Sequence, residues 1–456
     1  MKEGTVLKNL FCDIQRKTEA FWNGRLYFPL MFIAAALALI LHINVPAMLF
    51  FVAVCIFFLV FSDDLLSITL PLMMIFLLAS TYFKDLTFLL AYFPYAVPPF
   101  ALAVIFQLVY YRRPFVKGRM LYPLVAVSAA LIIGGAGVIP LDEYLLPLNF
   151  YYILGLGAFM IFIYCLCMSR LRNERGYDRT ERLACILYVS GIAAVLTVLV
   201  FCADNLGIIL EKGRLIFYKP RNFISSVLLM CMPSALPFIR KNSLHLFGLA
   251  AMYAGMLLTG SRSGLLFGTV LLCLCLAYEY FTDTEKRSLY NRLFAVLSIP
   301  IVILALILVP KLYSGRLIDG SLISSDETRV KFIKLGIEDF LAHPILGIGL
   351  SNQKNIGIFP GIFPGCLVFY HNILIQIPAS LGITGVAAFL WQFSERIKLI
   401  LKTRKTKLFI FTLSYIGILM MSLTNPGILC PFPETALLVL IFAVMEHSLE
   451  ENDNNL

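Results

Sequence analysis

Charge is scarce in this chain: Asp, Glu, Lys and Arg together make up 14% of its 456 residues, about half the share usual in soluble domains. With 60% of positions apolar, a water-soluble globule is excluded, because no such fold hides that much hydrocarbon from water. Metal-ligand spacings are missing as well. The 11 cysteines form no CxxC or CxxC…HxxH pattern, and only Cys366 and Cys430 fall in predicted outward loops. Neither a zinc site nor a disulfide framework is expected. There is no internal repeat and no low-complexity segment. The first apolar stretch lacks a small-residue cleavage site and runs at once into another, so it reads as an uncleaved anchor.

What is present is hydrocarbon in runs. Apolar stretches long enough to span a bilayer with tilt lie near 26–43, 45–62, 65–82, 86–110, 120–140, 145–168 and 184–204. Others lie near 220–238, 244–259, 264–281, 293–310, 371–394, 408–424 and 428–446. The expected fold is all-α, a polytopic helical membrane protein of roughly 12–14 transmembrane helices. Its expected organisation is a cytoplasmic segment 1–25, membrane helices over 26–310, an extracytoplasmic loop 311–370, membrane helices over 371–446, and a cytoplasmic tail 447–456.

Basic residues set the orientation. With both termini inside, cytoplasmic segments hold 25 of the 37 Lys and Arg, as the positive-inside rule requires. The formal charge of +10 is therefore a matter of topology, and no nucleic-acid partner is expected. The basic residues left outside are the informative ones. Lys212, Arg214, Lys219 and Arg221 precede the eighth stretch, six lie in 311–370, and Arg262 stands alone between the ninth and tenth. Positive charge placed against the topological bias predicts an anionic partner on the outer face.

The outward loop has a helical pattern of its own. Ser324-Ser325-Asp326-Glu327 has the form of a capping box, with acidic residues suited to a helix's positive end. Val330, Ile333, Ile337, Phe340 and Leu341 then recur as one apolar stripe, and His343-Pro344 closes the helix. Such a helix lies on the membrane surface or packs over the span ends.

Three outward features carry chemistry. Thr259-Gly260-Ser261-Arg262-Ser263-Gly264 sets an arginine among small residues between two apolar helices, which is costly unless it meets a cavity or an anion. The helix start that follows favours negative charge as well. Arg329 borders the stripe of the loop helix. Tyr370-His371-Asn372 closes the loop, and a histidine there can take a proton from a hydroxyl near neutral pH. Taken singly, each has a plainer reading: an arginine snorkelling to lipid phosphates, a solvated arginine, a histidine packing at a helix start. Together they suit displacement of a diphosphate from a sugar, with guanidinium forks on phosphate oxygens and His371 activating the attacking hydroxyl. Such a donor is already activated, so neither a cofactor nor a metal is required.

The same stretches resemble the O-antigen ligase and O-antigen polymerase superfamily. Gly213 to Phe223, with Lys219-Pro220-Arg221-Asn222, looks like that family's segment entering a span. Gly260-Ser261-Arg262-Ser263-Gly264 looks like its arginine turn. Thr328-Arg329 through His343-Pro344-Ile345-Leu346-Gly347-Ile348-Gly349, followed by Tyr370-His371-Asn372, resembles its periplasmic loop. The first two hundred residues match only in being hydrophobic. The chain departs from the pattern where Asn-Pro-Asn becomes Lys219-Pro220-Arg221-Asn222 and where Ser263 replaces a smaller residue.

The resemblance implies a multi-pass glycosyltransferase of the bacterial inner or plasma membrane. It would transfer glycan, with inversion and without metal, from a polyprenyl-diphosphate-linked oligosaccharide to an acceptor sugar that is itself lipid- or glycan-linked. His371, Arg262 and Arg329 would be catalytic. Arg214, Lys219, Arg221, Asn222, Ser261 and Asn372 would bind substrate. A transporter or flippase of lipid-linked glycans is the alternative, but it calls for charges deep along a central path and two similar halves. Here the outward basic residues gather at one face.

Overall fold

The computed structural model describes residues 2–82, 91–137, 152–171, 178–212, 220–283, 287, 321–350, 370–404, 406–425 and 427–454. Among these the secondary structure is helical and there is no strand. The protein is an all-α polytopic membrane protein. Seven described helices are long and apolar enough to cross a membrane, or eight if the pair Lys8–Asn23 and Tyr27–Ile40, bent by 80°, counts as one. Leu66–Ser80, Pro94–Tyr110, Leu121–Ile133, His245–Thr259 and Phe409–Ser422 are shorter apolar helices. Every stretch expected from hydropathy overlaps one of these helices except 293–310, which lies outside the described residues.

The chain divides into two compact units. The first comprises Met1–Val116, Cys167–Ile208 and Ile216–Ser261; the second comprises Lys117–Leu166, Ile209–Leu215 and Arg262–Leu456.

In the first unit Arg179–Asp204 is the central helix, packing on Tyr27–Ile40, Leu66–Ser80, Arg221–Cys231 and His245–Thr259. Its buried Ser190, Gly191, Ala193 and Ala194 let those backbones approach closely, the usual source of helix association where lipid is as apolar as leucine. Tyr27–Ile40 shows what the bilayer does to pattern. It is apolar all round, yet Met31, Ala35, Ala38 and Leu39 are buried while Leu30, Ile33, Leu37 and Ile40 are exposed on the opposite side. The exposed row is the side left for lipid.

The opening residues, read as a charged cytoplasmic segment, form the helix Lys2–Asn23. Its end is tied down. Trp22 Nε1 donates to Asp64 Oδ2 at 3.1 Å, Arg182 donates to the Asn23 carbonyl, and the Arg182 guanidinium lies 5.3 Å from the Trp22 ring. Nearby, Arg113 pairs with Asp63 at 2.7 Å. Burial pushes the Asp64 carboxyl above its ordinary value.

In the second unit Ile373–Thr403 is central, packing on Leu121–Ile133, Ser321–Ala342, Phe409–Ser422 and Ala436–Asn454. One end is closed by polar contacts: Tyr164 Oη donates to Glu446 Oε2 at 2.6 Å and receives Met120 N at 3.1 Å. Close to Ile373–Thr403's own C-terminal end, the Arg396 guanidinium lies 5.4 Å from the Tyr415 ring and 5.2 Å from that of Phe442. The other end of Ile373–Thr403 carries the candidate site.

Candidate functional site

The span Ile373–Thr403 is broken. Gly382 adopts φ 62° and ψ −161°, outside helical geometry, four residues after Pro378. Backbone groups freed there must find partners, because lipid offers none. The segment Pro344–Gly349 supplies them. Ile383 N donates to Pro344 O at 2.8 Å, Ile348 N to Ala379 O at 3.0 Å, and Gly349 N to Ser380 O at 2.8 Å. Gly135 N, after the helix Leu121–Ile133, donates to Leu346 O at 2.8 Å. Only glycine fits the closest approach: a Cβ on Gly347, whose φ is +69°, would stand 2.3 Å from the Ser380 carbonyl carbon. The loop motif that follows His343 is therefore a clasp on the broken span.

The clasp docks the loop helix Ser321–Ala342. This helix starts earlier than the capping pattern implied, and Ser324 lies inside it. No Gly or Pro separates Ser321 from Arg329, so nothing stops the helix from extending backward. It ends at Ala342, as His343-Pro344 predicts. Its packed side also differs from the one hydrophobicity suggested. Val330, Ile337 and Leu341 of the apolar stripe are 52%, 45% and 70% exposed, whereas Phe332 is 2% exposed. Arg329, Phe332, Gly336 and Asp339 share a face at helical spacing. Phe332 joins Ile348, Tyr370 and Ala379 in a buried cluster flanked by Leu335 and Ile375.

That face meets the Tyr370-His371-Asn372 turn. His371 has φ +54°, a left-handed conformation that is uncommon for a residue with a side chain and costs about 1 kcal/mol or more. Both neighbours hold it there. Tyr370 N donates to Gln376 Oε1 at 2.8 Å, and Asn372 caps the span by accepting from Leu374 N at 2.8 Å. The His371 ring lies 5.8 Å from the Phe332 ring, and its buried Nδ1 has no hydrogen-bond partner among the described residues. Burial, and secondly the Arg329 charge, push the imidazole down to about 4. At neutral pH His371 is uncharged, with a lone pair available to accept a proton.

A second pair forms in the first unit. Ser261 Oγ donates to Asn222 Oδ1 at 2.9 Å, and Ser225 Oγ lies 3.1 Å from Thr259 Oγ1. Gly260, with φ +69°, ends His245–Thr259 in a left-handed cap. Arg262 then opens the helix Arg262–Thr282 in the second unit, half-buried. Arg221 is half-buried at the start of Arg221–Cys231. Arg214 and Lys219 lie outside the described residues.

The structure thus brings Arg329 to His371 and Asn222 to Ser261, and it gives Asn372 a capping role that needs no ligand. Sequence reasoning quoted Tyr370 only as part of its motif and gave neither it nor Asp339 a role; their side chains are joined at 2.6 Å. The signal was the i, i+3, i+7, i+10 spacing from Arg329 to Asp339, which reads as polar and so was not taken as a packed face. Among the described residues, no three His, Cys, Asp or Glu side chains converge as metal ligands would.

Residues 247–390 match the family model described as O-antigen ligase. That segment contains Arg262, Arg329 and His371 but ends short of Arg221 and Asn222 on its N-terminal side. No curated protein and no solved structure matches the chain significantly.

Proposed function

We propose that this chain, whose residues 247–390 match the family model described as O-antigen ligase, transfers glycan from a polyprenyl-diphosphate-linked donor to an acceptor sugar hydroxyl on the outer face. That match and the helical membrane fold support a membrane glycosyltransferase-type activity. The donor, the acceptor and the residue roles are the proposal.

One observation carries it: a neutral histidine with an unpartnered, buried Nδ1 beside an arginine charge. In the reaction the acceptor oxygen attacks the anomeric carbon as the bond to the diphosphate oxygen breaks. Nδ1 of His371 takes the hydroxyl proton, and polyprenyl diphosphate leaves with the bonding pair. Attack from the face opposite the leaving group inverts the anomeric centre. Arg329 and Arg262 hold the diphosphate, where charge grows in the transition state. To Arg221, Lys219, Arg214, Asn222 and Ser261 we assign contacts with the donor.

The low basicity of His371 suits this order of events. Before the donor binds, Arg329 repels a proton from the imidazole. A bound diphosphate reverses the sign of the local field, so the base strengthens when it is needed. Clusters of Arg113 and Arg182 with Asp63 and Asp64 in the first unit fit an end facing the cytoplasm, and we assign the N-terminus to that side; the C-terminal tail of the second unit we assign to the cytoplasm from the distribution of Lys and Arg alone.

The test is reconstitution. Wild-type protein in liposomes with polyprenyl-diphosphate oligosaccharide should give longer glycans, or one transferred glycan on a supplied acceptor. His371→Ala should give neither while still inserting normally. Near wild-type transfer by that variant would remove the base from the mechanism.

A further inference from the structure

Arg329 sits on a loop helix and His371 on the entrance to a span, with a long stretch of chain between them. Something must hold them in register, since misplacement of about 1 Å can cost a hundredfold in rate. The clasp at Gly382 anchors one end of the loop helix, but Arg329 lies more than three turns away from it. A second tie is needed nearer the site.

We propose that Tyr370 and Asp339 form a positioning pair that fixes the Arg329 helix against the His371 turn; this rests on the function proposed above. Tyr370 is 2% exposed, and its hydroxyl donates to Asp339 Oδ2 at 2.6 Å. Its backbone N is held by Gln376 at 2.8 Å, and Gln376 Nε2 in turn donates to Ser380 Oγ at 2.8 Å, beside the clasp. The phenol therefore bridges the loop helix to the broken span. Gly336 allows the approach. A Cβ there would stand 2.3 Å from Ile375 Cγ2 and 3.0 Å from Tyr370 Cδ1, so any larger residue would push the helix off the ring. Asp339, Gly336, Phe332 and Arg329 lie along one face, and the Phe332 ring lies 5.8 Å from that of His371. Of the groups around the turn, Arg329 and Asp339 carry charge, while Asn372 and Gln376 carry none.

Tyr370 and Asp339 do not touch substrate in this scheme; they act through His371 and Arg329. Tyr370→Phe keeps the ring and deletes the tie. In full-length protein reconstituted in liposomes, Tyr370→Phe should lower kcat by roughly tenfold, the scale of one well-placed hydrogen bond, with donor KM little changed. Asp339→Ala should match it, and the double variant should be no worse than either single. Asp339→Asn, which can still accept from the phenol, should restore most of the rate.

A merely structural residue would lower yield without altering the imidazole. The pair instead predicts that the His371 titration moves up towards 6.5 in Tyr370→Phe, read by nitrogen NMR on histidine-labelled protein, as the ring loses its burial against Phe332 and its exposure to Arg329. An unmoved titration, or losses that multiply in the double variant, overturns the pair. The titration needs no turnover, so it judges the pair even if His371→Ala has already removed the proposed base.

Discussion

Arg329 lies close enough to His371 for its charge to oppose protonation of the imidazole, and Phe332, one turn along the helix from Arg329, sets its ring 5.8 Å from that of His371. The relationship places a cation and a neutral base together, the pairing on which the proposed diphosphate displacement rests.

Neutralising the cation should therefore strengthen the base. In Arg329→Gln the His371 titration should rise from about 4 yet stay below the free value of about 6.5, since burial is the larger cause and persists. Nitrogen NMR of histidine-labelled protein in bilayers measures it. A titration that does not move would separate the two residues electrostatically.

The acid limb of the rate profile follows from the same shift. His371 must be unprotonated to act, so kcat/KM, which reports the free enzyme, should hold level from pH 7 down towards about 4 before falling. The limb in kcat, which reports the donor complex, should lie at higher pH because the bound diphosphate favours the imidazolium. Identical limbs in the two profiles would contradict a diphosphate next to His371.

Linkage gives a stability counterpart. The folded imidazole is harder to protonate than the unfolded one, so its contribution is present above about 6.5 and is lost as pH falls towards 4. Thermal melts in detergent should show this loss in wild type and a smaller one in His371→Asn.

Closing the space at the clasp should cost stability and activity together. Gly347→Ala puts a Cβ 2.3 Å from the Ser380 carbonyl carbon at φ +69°. A loss of about 2 kcal/mol or more is expected, from strain plus clash. Gly137→Ala meets nothing within 4 Å and should melt as wild type. Equal melting of the two variants would deny the clasp its role.

Asn222 separates geometry from charge. Asn222→Asp keeps an acceptor for Ser261 Oγ but adds a carboxylate at a proposed donor contact, and donor KM should rise severalfold. Asn222→Ala loses the Ser261 bond, worth about 1 kcal/mol, and should affect stability more than donor KM. Steady-state kinetics across donor concentrations distinguish them. Unchanged KM in Asn222→Asp would move the donor elsewhere.

The spans were legible because hydropathy is a local property: a run of apolar residues long enough to cross lipid announces itself without reference to any partner. The broken span was not, although Pro378 and Gly382 stood in plain view. Either residue is tolerated inside an unbroken membrane helix when neighbours supply the missing hydrogen bonds, and the neighbour here comes from Pro344–Gly349. The packed face of the loop helix was not legible either, for a related reason. Val330, Ile337 and Leu341 are exposed although they form its most apolar stripe, because beside a bilayer apolar side chains need not turn towards protein. The packed face instead carries Arg329, Gly336 and Asp339.

From sequence alone came a many-helix membrane protein, and the expectation that basic residues and a histidine gather on its outer side, since burial in lipid and the charge rule act residue by residue. Only the tertiary structure decided which of those residues meet. Convergence of Arg329 and His371 depends on the segment Pro344–Gly349 filling the gap in a broken helix, and that is a relation between distant segments which no local pattern encodes.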